Sequence, residues 1–174
     1  SVIVFVQEKK MPTETIEMKE DRKAKQPSKT SDIPKNGHKV LIIEDEQPLV
    51  EALVYNLEKE GYETVVSHDG QEGLRKAIST SPDFILLDLM LPSLNGIEIL
   101  RELRSNERTK NTPIIVVTAK AEETDQVVGF SMGADDYVTK PFSVKVLLQR
   151  IKALKRRTEP AEEELEIKVL EHRG

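Results

Sequence analysis

None of the 174 residues is cysteine, which excludes disulfide scaffolds, thiolate metal sites and cysteine nucleophiles. Histidine is nearly as scarce. His38, His68 and His172 show no metal-ligand spacing and read as exposed surface side chains. No apolar run approaches the roughly 20 residues that span a bilayer. The opening Val2-Ile3-Val4-Phe5-Val6 is far too short, and no basic region or small-residue cleavage site flanks it. A soluble, cytoplasmic protein without membrane contact is therefore expected. An excess of basic charge is missing too: the net charge of −5 argues against a nucleic-acid-binding module within this stretch.

What is present is unevenly spread. Residues 1–37 are mostly rich in Lys, Glu, Thr, Ser and Pro, with Pro12, Pro27 and Pro34 interrupting any long helix. That composition buries too little surface to offset its ordering entropy and is expected to be a flexible extension. Leu, Ile and Val concentrate between Val40 and Leu154, which is enough chain for one core. Three short apolar runs stand out there: Val40-Leu41-Ile42-Ile43, Phe84-Ile85-Leu86-Leu87 and Ile114-Ile115-Val116-Val117. Without polar alternation, they read as strands buried on both faces. Residues 62–67 and 137–139 read as two further strands. Helical spacing appears at 48–60, stopped by Gly61, and again at 71–79, 95–105, 124–132 and 143–156. Five strands alternating with five helices predict an α/β fold, a doubly wound parallel sheet with right-handed crossovers.

In such a sheet ligands sit beyond the carboxyl ends of the strands. Every polar residue of interest falls there. Glu44 and Asp45 follow the first run, Asp88 ends the third strand, Thr118 ends the fourth, and Lys140 follows the fifth. Taken singly, each is more economically a helix cap or a solvated charge; their joint placement is the signal. Three carboxylates brought together repel one another unless a cation sits among them, and an all-oxygen set suits Mg²⁺. A lysine and a hydroxyl beside that cation offer what an incoming phosphoryl group needs, and a carboxylate can itself be the nucleophile.

The segments Val40-Leu41-Ile42-Ile43-Glu44-Asp45-Glu46, Leu86-Leu87-Asp88-Leu89-Met90-Leu91-Pro92, Asn95-Gly96, Thr118-Ala119-Lys120 and Gly133-Ala134-Asp135-Asp136-Tyr137-Val138-Thr139-Lys140-Pro141-Phe142 resemble receiver domains of bacterial two-component response regulators, and among these the OmpR/PhoB subfamily. The resemblance covers residues 38–157 and implies a flavodoxin- or CheY-like fold. It implies that Asp88 accepts phosphate from a histidine kinase. Asp45, Asp88 and the Met90 backbone carbonyl would hold Mg²⁺, with Glu44 acting directly or through water. Lys140 would pair with a phosphoryl oxygen across a cis Lys140-Pro141 bond. Thr118 would swing to the phosphoryl group while Tyr137 rotates inward. The resemblance also implies that Met90 and Lys120 flank the site at positions that in this family tune hydrolysis of the phosphoryl group.

The subfamily resemblance further implies a phosphorylation-dependent homodimer through the fourth helix, fifth strand and fifth helix, with Asp135, Asp136, Arg150, Lys152 and Arg157 on that face. Gln126, Val144 and Val146 depart from the usual ionic pattern, and Val146 with Val127 makes the face more apolar. Residues 158–174 read as an acidic linker followed by a strand-like alternation from Leu165 to Leu170. The expectation is the start of a winged-helix effector that would bind DNA from beyond Gly174. Competing readings are a stand-alone CheY-like receiver, a Mg²⁺-dependent phosphohydrolase, and a degenerate receiver that binds partners without phosphate. Haloacid-dehalogenase-type enzymes would need an aspartate two residues after the nucleophile, where this chain has Met90. The degenerate reading is disfavoured because every expected site residue is present.

Overall fold

The computed structural model describes residues 36–119, 127 and 130–158. The expected extension up to residue 35, Lys120, Gln126, most of the 124–132 helix and the segment 159–174 lie outside them; Val127, Phe130 and Ser131 within the expected fourth helix are helical. The described elements run β1 (Lys39–Ile43), α1 (Gln47–Lys59), β2 (Glu63–Ser67), α2 (Gly70–Thr80), β3 (Phe84–Leu87), α3 (Gly96–Ser105), β4 (Ile114–Thr118), β5 (Asp136–Thr139) and α4 (Val144–Thr158). The last is the fifth helix of the sequence reading. All strand pairs are parallel, in the order β2-β1-β3-β4-β5.

Period-two alternation sorts the uninterrupted strand runs onto two faces. Val40, Ile42, Phe84, Leu86, Ile115 and Val117 pack with Val50, Leu53 and Leu57 of α1 and with Leu147, Leu148, Ile151 and Leu154 of α4. Leu41, Ile43, Ile85, Leu87, Ile114 and Val116 pack on the other side with Ala77 of α2 and with Ile99, Leu100 and Leu103 of α3. Each fully buried Leu, Ile or Val contributes about 1.5–3 kcal/mol. That is why β3, and β1 and β4 apart from the terminal Lys39 and Thr118, carry apolar residues at every position.

Local signals set the helix ends. Asp69 caps α2 by accepting the Glu72 N–H at 2.8 Å, and Asn95 caps α3 by accepting the Ile97 N–H at 3.0 Å. Gly61, at φ +86°, terminates α1 in the left-handed region, as the sequence suggested. Among the described residues no helix is long and apolar enough to cross a membrane.

Two residues depart from the sequence reading. His38, expected to be exposed, is half-buried, lies edge-on to Phe84 and approaches Asp83 at 3.8 Å; His68 is exposed as expected and is tied through Nδ1 to the Glu44 carbonyl at 2.9 Å. Arg104, read only as one residue of a helix, is a junction. Its Nε donates to the Gly133 carbonyl at 2.7 Å, Nη1 to the Thr112 carbonyl at 2.8 Å, and Nη2 to Asp135 at 2.8 Å. Asp135 also accepts the Ile114 N–H at 2.7 Å, so one guanidinium joins α3, the start of β4 and the approach to β5.

Candidate functional site

Parallel register fixes which residues meet. Ile43 pairs with Leu87, so Glu44 and Asp88 leave adjacent strands side by side. Backbone bonds extend each ladder one step: Asp88 N–H to the Ile43 carbonyl at 3.0 Å, Glu44 N–H to Ser67 at 3.0 Å, and Lys140 N–H to Thr118 at 2.9 Å. Residues far apart in sequence are thereby held at one sheet edge. Glu44 and Asp88 are buried, at 3% and 4% exposure, while Asp45 is exposed. Glu44, Asp45 and Asp88 each offer an oxygen within 4.8 Å of the others.

Buried anions require counter-charge. Lys140 Nζ supplies it, lying 2.8 Å from Glu44 Oε2, 3.0 Å from Asp88 Oδ2 and 3.4 Å from Glu46 Oε2. The Lys140-Pro141 bond is cis. Burial pushes the Glu44 carboxyl above its usual range, although its bonds to Lys140 and to the Glu46 N–H oppose this. Burial alone would lower Lys140, but the bonds to Glu44 and Asp88 outweigh it and hold the ammonium above the ordinary lysine value. One lysine shared among several carboxylates leaves the cluster negative, and its all-oxygen donor set fits a hard divalent cation such as Mg²⁺.

The 89–95 loop forms the other wall, and with Asp45 it encloses an open cleft of about 460 Å³. The Met90 N–H donates to Asp88 Oδ1 at 2.8 Å, so Lys140 and Met90 fix one carboxylate oxygen each. The Met90 side chain is exposed. Gly96 closes the loop on itself. A Cβ there would stand 2.3 Å from Leu89 Cα and 2.7 Å from the Asp88 carbonyl oxygen, so only glycine permits this approach. The Ser93 hydroxyl donates to Asp69 Oδ2, tying this loop to the cap of α2. Sequence reasoning missed that tie, because nothing local announces a contact between residues 24 apart.

Thr118 is fully buried at the end of β4, and Tyr137 lies inward at 7% exposure in the α2–α3 side of the core, with its ring 6.3 Å from that of Phe130. The charged residues expected on the outer face are not all alike. Asp136 pairs with Arg150 through two bonds at 2.7 and 2.8 Å. Asp135 is engaged by Arg104, and Lys152 reaches Glu60 at the end of α1 at 2.7 Å. Arg157 is exposed, as are Val127 and Val146, at 62% and 49%, and Val144 is half-buried.

Residues 40–152 match the response regulator receiver domain family. The chain is 46% identical over 136 residues to the alkaline phosphatase synthesis transcriptional regulatory protein PhoP of Bacillus subtilis, covering 78% of this chain and 56% of that protein. It is 48% identical over 130 residues to the response regulator ArlR of Staphylococcus saprophyticus, covering 75% and 57%. The chain thus spans a little over half the length of these curated relatives. Among solved structures, the Francisella response regulator 1452 receiver domain superposes with a TM-score of 0.65 at 35% identity, covering 70% of this chain and 99% of that one. The receiver domain of sensor histidine kinase PA1611 of Pseudomonas aeruginosa, described with a magnesium ion in its active-site cleft, gives 0.57 at 36% identity, covering 66% and 93%. With its buried acidic edge, its shared lysine and the five-stranded parallel sheet that assembles them, the chain belongs to the response regulator receiver domain family and groups with its OmpR/PhoB relatives.

Proposed function

We propose that Asp88 is the phosphoacceptor of a two-component switch, taking its phosphoryl group from a histidine kinase in a Mg²⁺-dependent reaction. The observation that carries this reading is the buried Asp88 carboxylate, with Oδ1 on the Met90 N–H and Oδ2 on Lys140 beside Glu44 and Asp45. A carboxylate oxygen of Asp88 attacks phosphorus; the bond to the donor nitrogen breaks, and the imidazole leaves with the electron pair and takes up a proton. Lys140 would move from Glu44 to a phosphoryl oxygen, supplying the charge that the transferring group needs. Glu44, Asp45, Asp88 and the Met90 carbonyl would hold Mg²⁺, which when bound screens phosphoryl oxygens from the carboxylates.

Thr118 and Tyr137 are the switch pair of this reading, relaying the new charge to the face of β5, α4 and the helix that contains Val127 and Phe130. Asp136, Arg150 and Arg157, with Asp135 and Lys152, belong to that face, which would form a homodimer on phosphorylation. The transcriptional regulator named among its relatives supports a role in transcription, exerted by a DNA-binding domain C-terminal to this receiver. The domain division follows: a 1–37 extension, a 38–157 receiver, and a 158–174 linker leading into the effector. The protein is a cytoplasmic signalling switch that assists its own phosphorylation and dephosphorylation rather than a turnover enzyme.

Intact mass after incubation with Mg²⁺ and acetyl phosphate tests the reading. One phosphoryl adduct is expected on the parent and none on Asp88→Asn or without Mg²⁺. No adduct on the parent under any condition overturns the phosphoacceptor role, and steady phosphoester turnover would favour a phosphohydrolase.

A further inference from the structure

Lys140 meets a third carboxylate that phosphoryl transfer to Asp88 does not require. Glu46 Oε2 stands 3.4 Å from Lys140 Nζ, and its side chain is 58% exposed, whereas those of Glu44 and Asp88 are each 4% exposed. Glu46 occupies the N-cap of α1, yet its side chain makes no capping bond there. Its backbone N–H instead holds Glu44 Oε1 at 3.0 Å, fixing the main chain while the carboxylate turns across to Lys140. That carboxylate lines an open hollow of about 340 Å³ together with Leu49, Lys140, Pro141 and Phe142. Asp88 does not line this hollow; Lys140 links the two, bonding Glu46 on this side and Asp88 Oδ2 at 3.0 Å on the other.

We propose that Glu46 is a specificity-determining residue, a negative gate at the mouth of the site that slows phosphorylation by small, free, dianionic phosphodonors. The inference rests on the phosphoacceptor reading of Asp88. Two physical effects act together. Glu46 neutralises part of the Lys140 charge that a donor must engage, and it repels a dianion drawn to that lysine. Both effects are electrostatic and, at a largely exposed side chain, are screened by salt. A packing role for Glu46 would show no such screening.

Time courses of the phosphoryl adduct, at saturating Mg²⁺, would be compared for the parent, Glu46→Gln and Glu46→Asp. Glutamine keeps the shape and the backbone bond to Glu44 and removes only the charge. Glu46→Gln is expected to raise the second-order rate constant for acetyl phosphate by roughly 3–10-fold at low ionic strength. The gain should be smaller for phosphoramidate, which carries one negative charge fewer, and Glu46→Asp should stay near the parent. Near 1 M salt, where the screening length is about 3 Å, the gain should fall below about twofold. Equal rates for parent and Glu46→Gln at low salt overturn the proposal, as does a gain indifferent to salt and to donor charge. A parent that takes no label at all overturns the reading of Asp88 as well, whereas a labelled parent with unchanged Glu46→Gln rates overturns the gate alone.

Discussion

Arg104 on α3 and Asp135 ahead of β5 meet at 2.8 Å, at the end of β4 opposite the carboxylate cluster. The Arg104 side chain is 19% exposed, and its guanidinium also serves the carbonyls of Gly133, Lys110 and Thr112. Removing it strands these acceptors and, among the described residues, leaves the Asp135 carboxylate with the Ile114 N–H alone. Arg104→Ala should cost about 3 kcal/mol, because charged hydrogen bonds contribute more than neutral ones and the loss leaves acceptors unpaired. Arg104→Lys should recover less than half of that, since an ammonium lacks the planar fork. Urea unfolding measures the loss. Phosphorylation of the folded fraction should be unchanged, because the site lies at the other end of the sheet.

Gly96 gives the opposite pattern. A methyl group 2.3 Å from Leu89 Cα has to displace backbone, and the displaced segment carries Asp88 and Met90. Gly96→Ala is expected to cost about 1–3 kcal/mol by overpacking. It should also slow acyl phosphate formation in the folded protein at least severalfold, through loss of the Met90 bond to Asp88. A variant with parental labelling rate would show that the loop tolerates the shift.

Lys140 and a bound divalent cation compete to neutralise the same carboxylates. Lys140→Ala should therefore bind Mg²⁺ more tightly than the parent, while without Mg²⁺ it should be less stable by about 2 kcal/mol because Glu44 is left buried without counter-charge. Mg²⁺ titration followed by NMR, with unfolding in the presence of a chelator, checks both halves. Weaker Mg²⁺ binding by Lys140→Ala would show that the lysine organises the ligands rather than competing with the ion.

Acid sensitivity should localise to the α2 cap. The Ser93 hydroxyl and then the Glu72 N–H hold the Asp69 carboxyl below its ordinary value of 3.8. A carboxyl depressed in the folded state contributes stability above the unfolded value, lost as pH falls through the folded one. The stability difference between the parent and Asp69→Asn should therefore be full at about pH 6 and disappear by about pH 2. Denaturant melts at several pH values give the difference directly. A gap that widened on acidification would reverse the sign and remove Asp69 from the account.

Much of this was legible in the chain because burial on two faces writes itself as uninterrupted apolar runs. Phe84-Ile85-Leu86-Leu87 could be placed as β3, and the residue after each run could be placed at the sheet edge. Helix ends were legible within a residue or two from apolar spacing and, for α1, from Gly61, whereas the Asp69 and Asn95 caps emerged only with the structure. Long side chains defeated the reading. Arg104 reaches partners in two connecting segments, before β4 and before β5, and its sequence neighbours name none of them. Asp135 was expected on the outer face, and nothing in its sequence context announced that its carboxylate also engages Arg104 and the Ile114 N–H. Lys152 similarly reaches Glu60 on α1. Glu46 was part of a motif, but its reach to Lys140 depends on how α1 leaves β1, and hydrophobic patterning carries no such information.

The register of β4 against β5 sets different tolerances to insertion along the chain. Thr118 pairs with Thr139, and the next N–H, that of Lys140, bonds back to the Thr118 carbonyl. Extra residues between Ala119 and Gly133 would leave that pairing untouched. One residue added between Asp136 and Tyr137 would turn Tyr137 to the opposite face and carry Lys140 off Asp88, because side chains alternate along a strand. Natural length variation in this stretch should therefore stop at Gly133, where Arg104 holds the backbone, and resume only after Pro141.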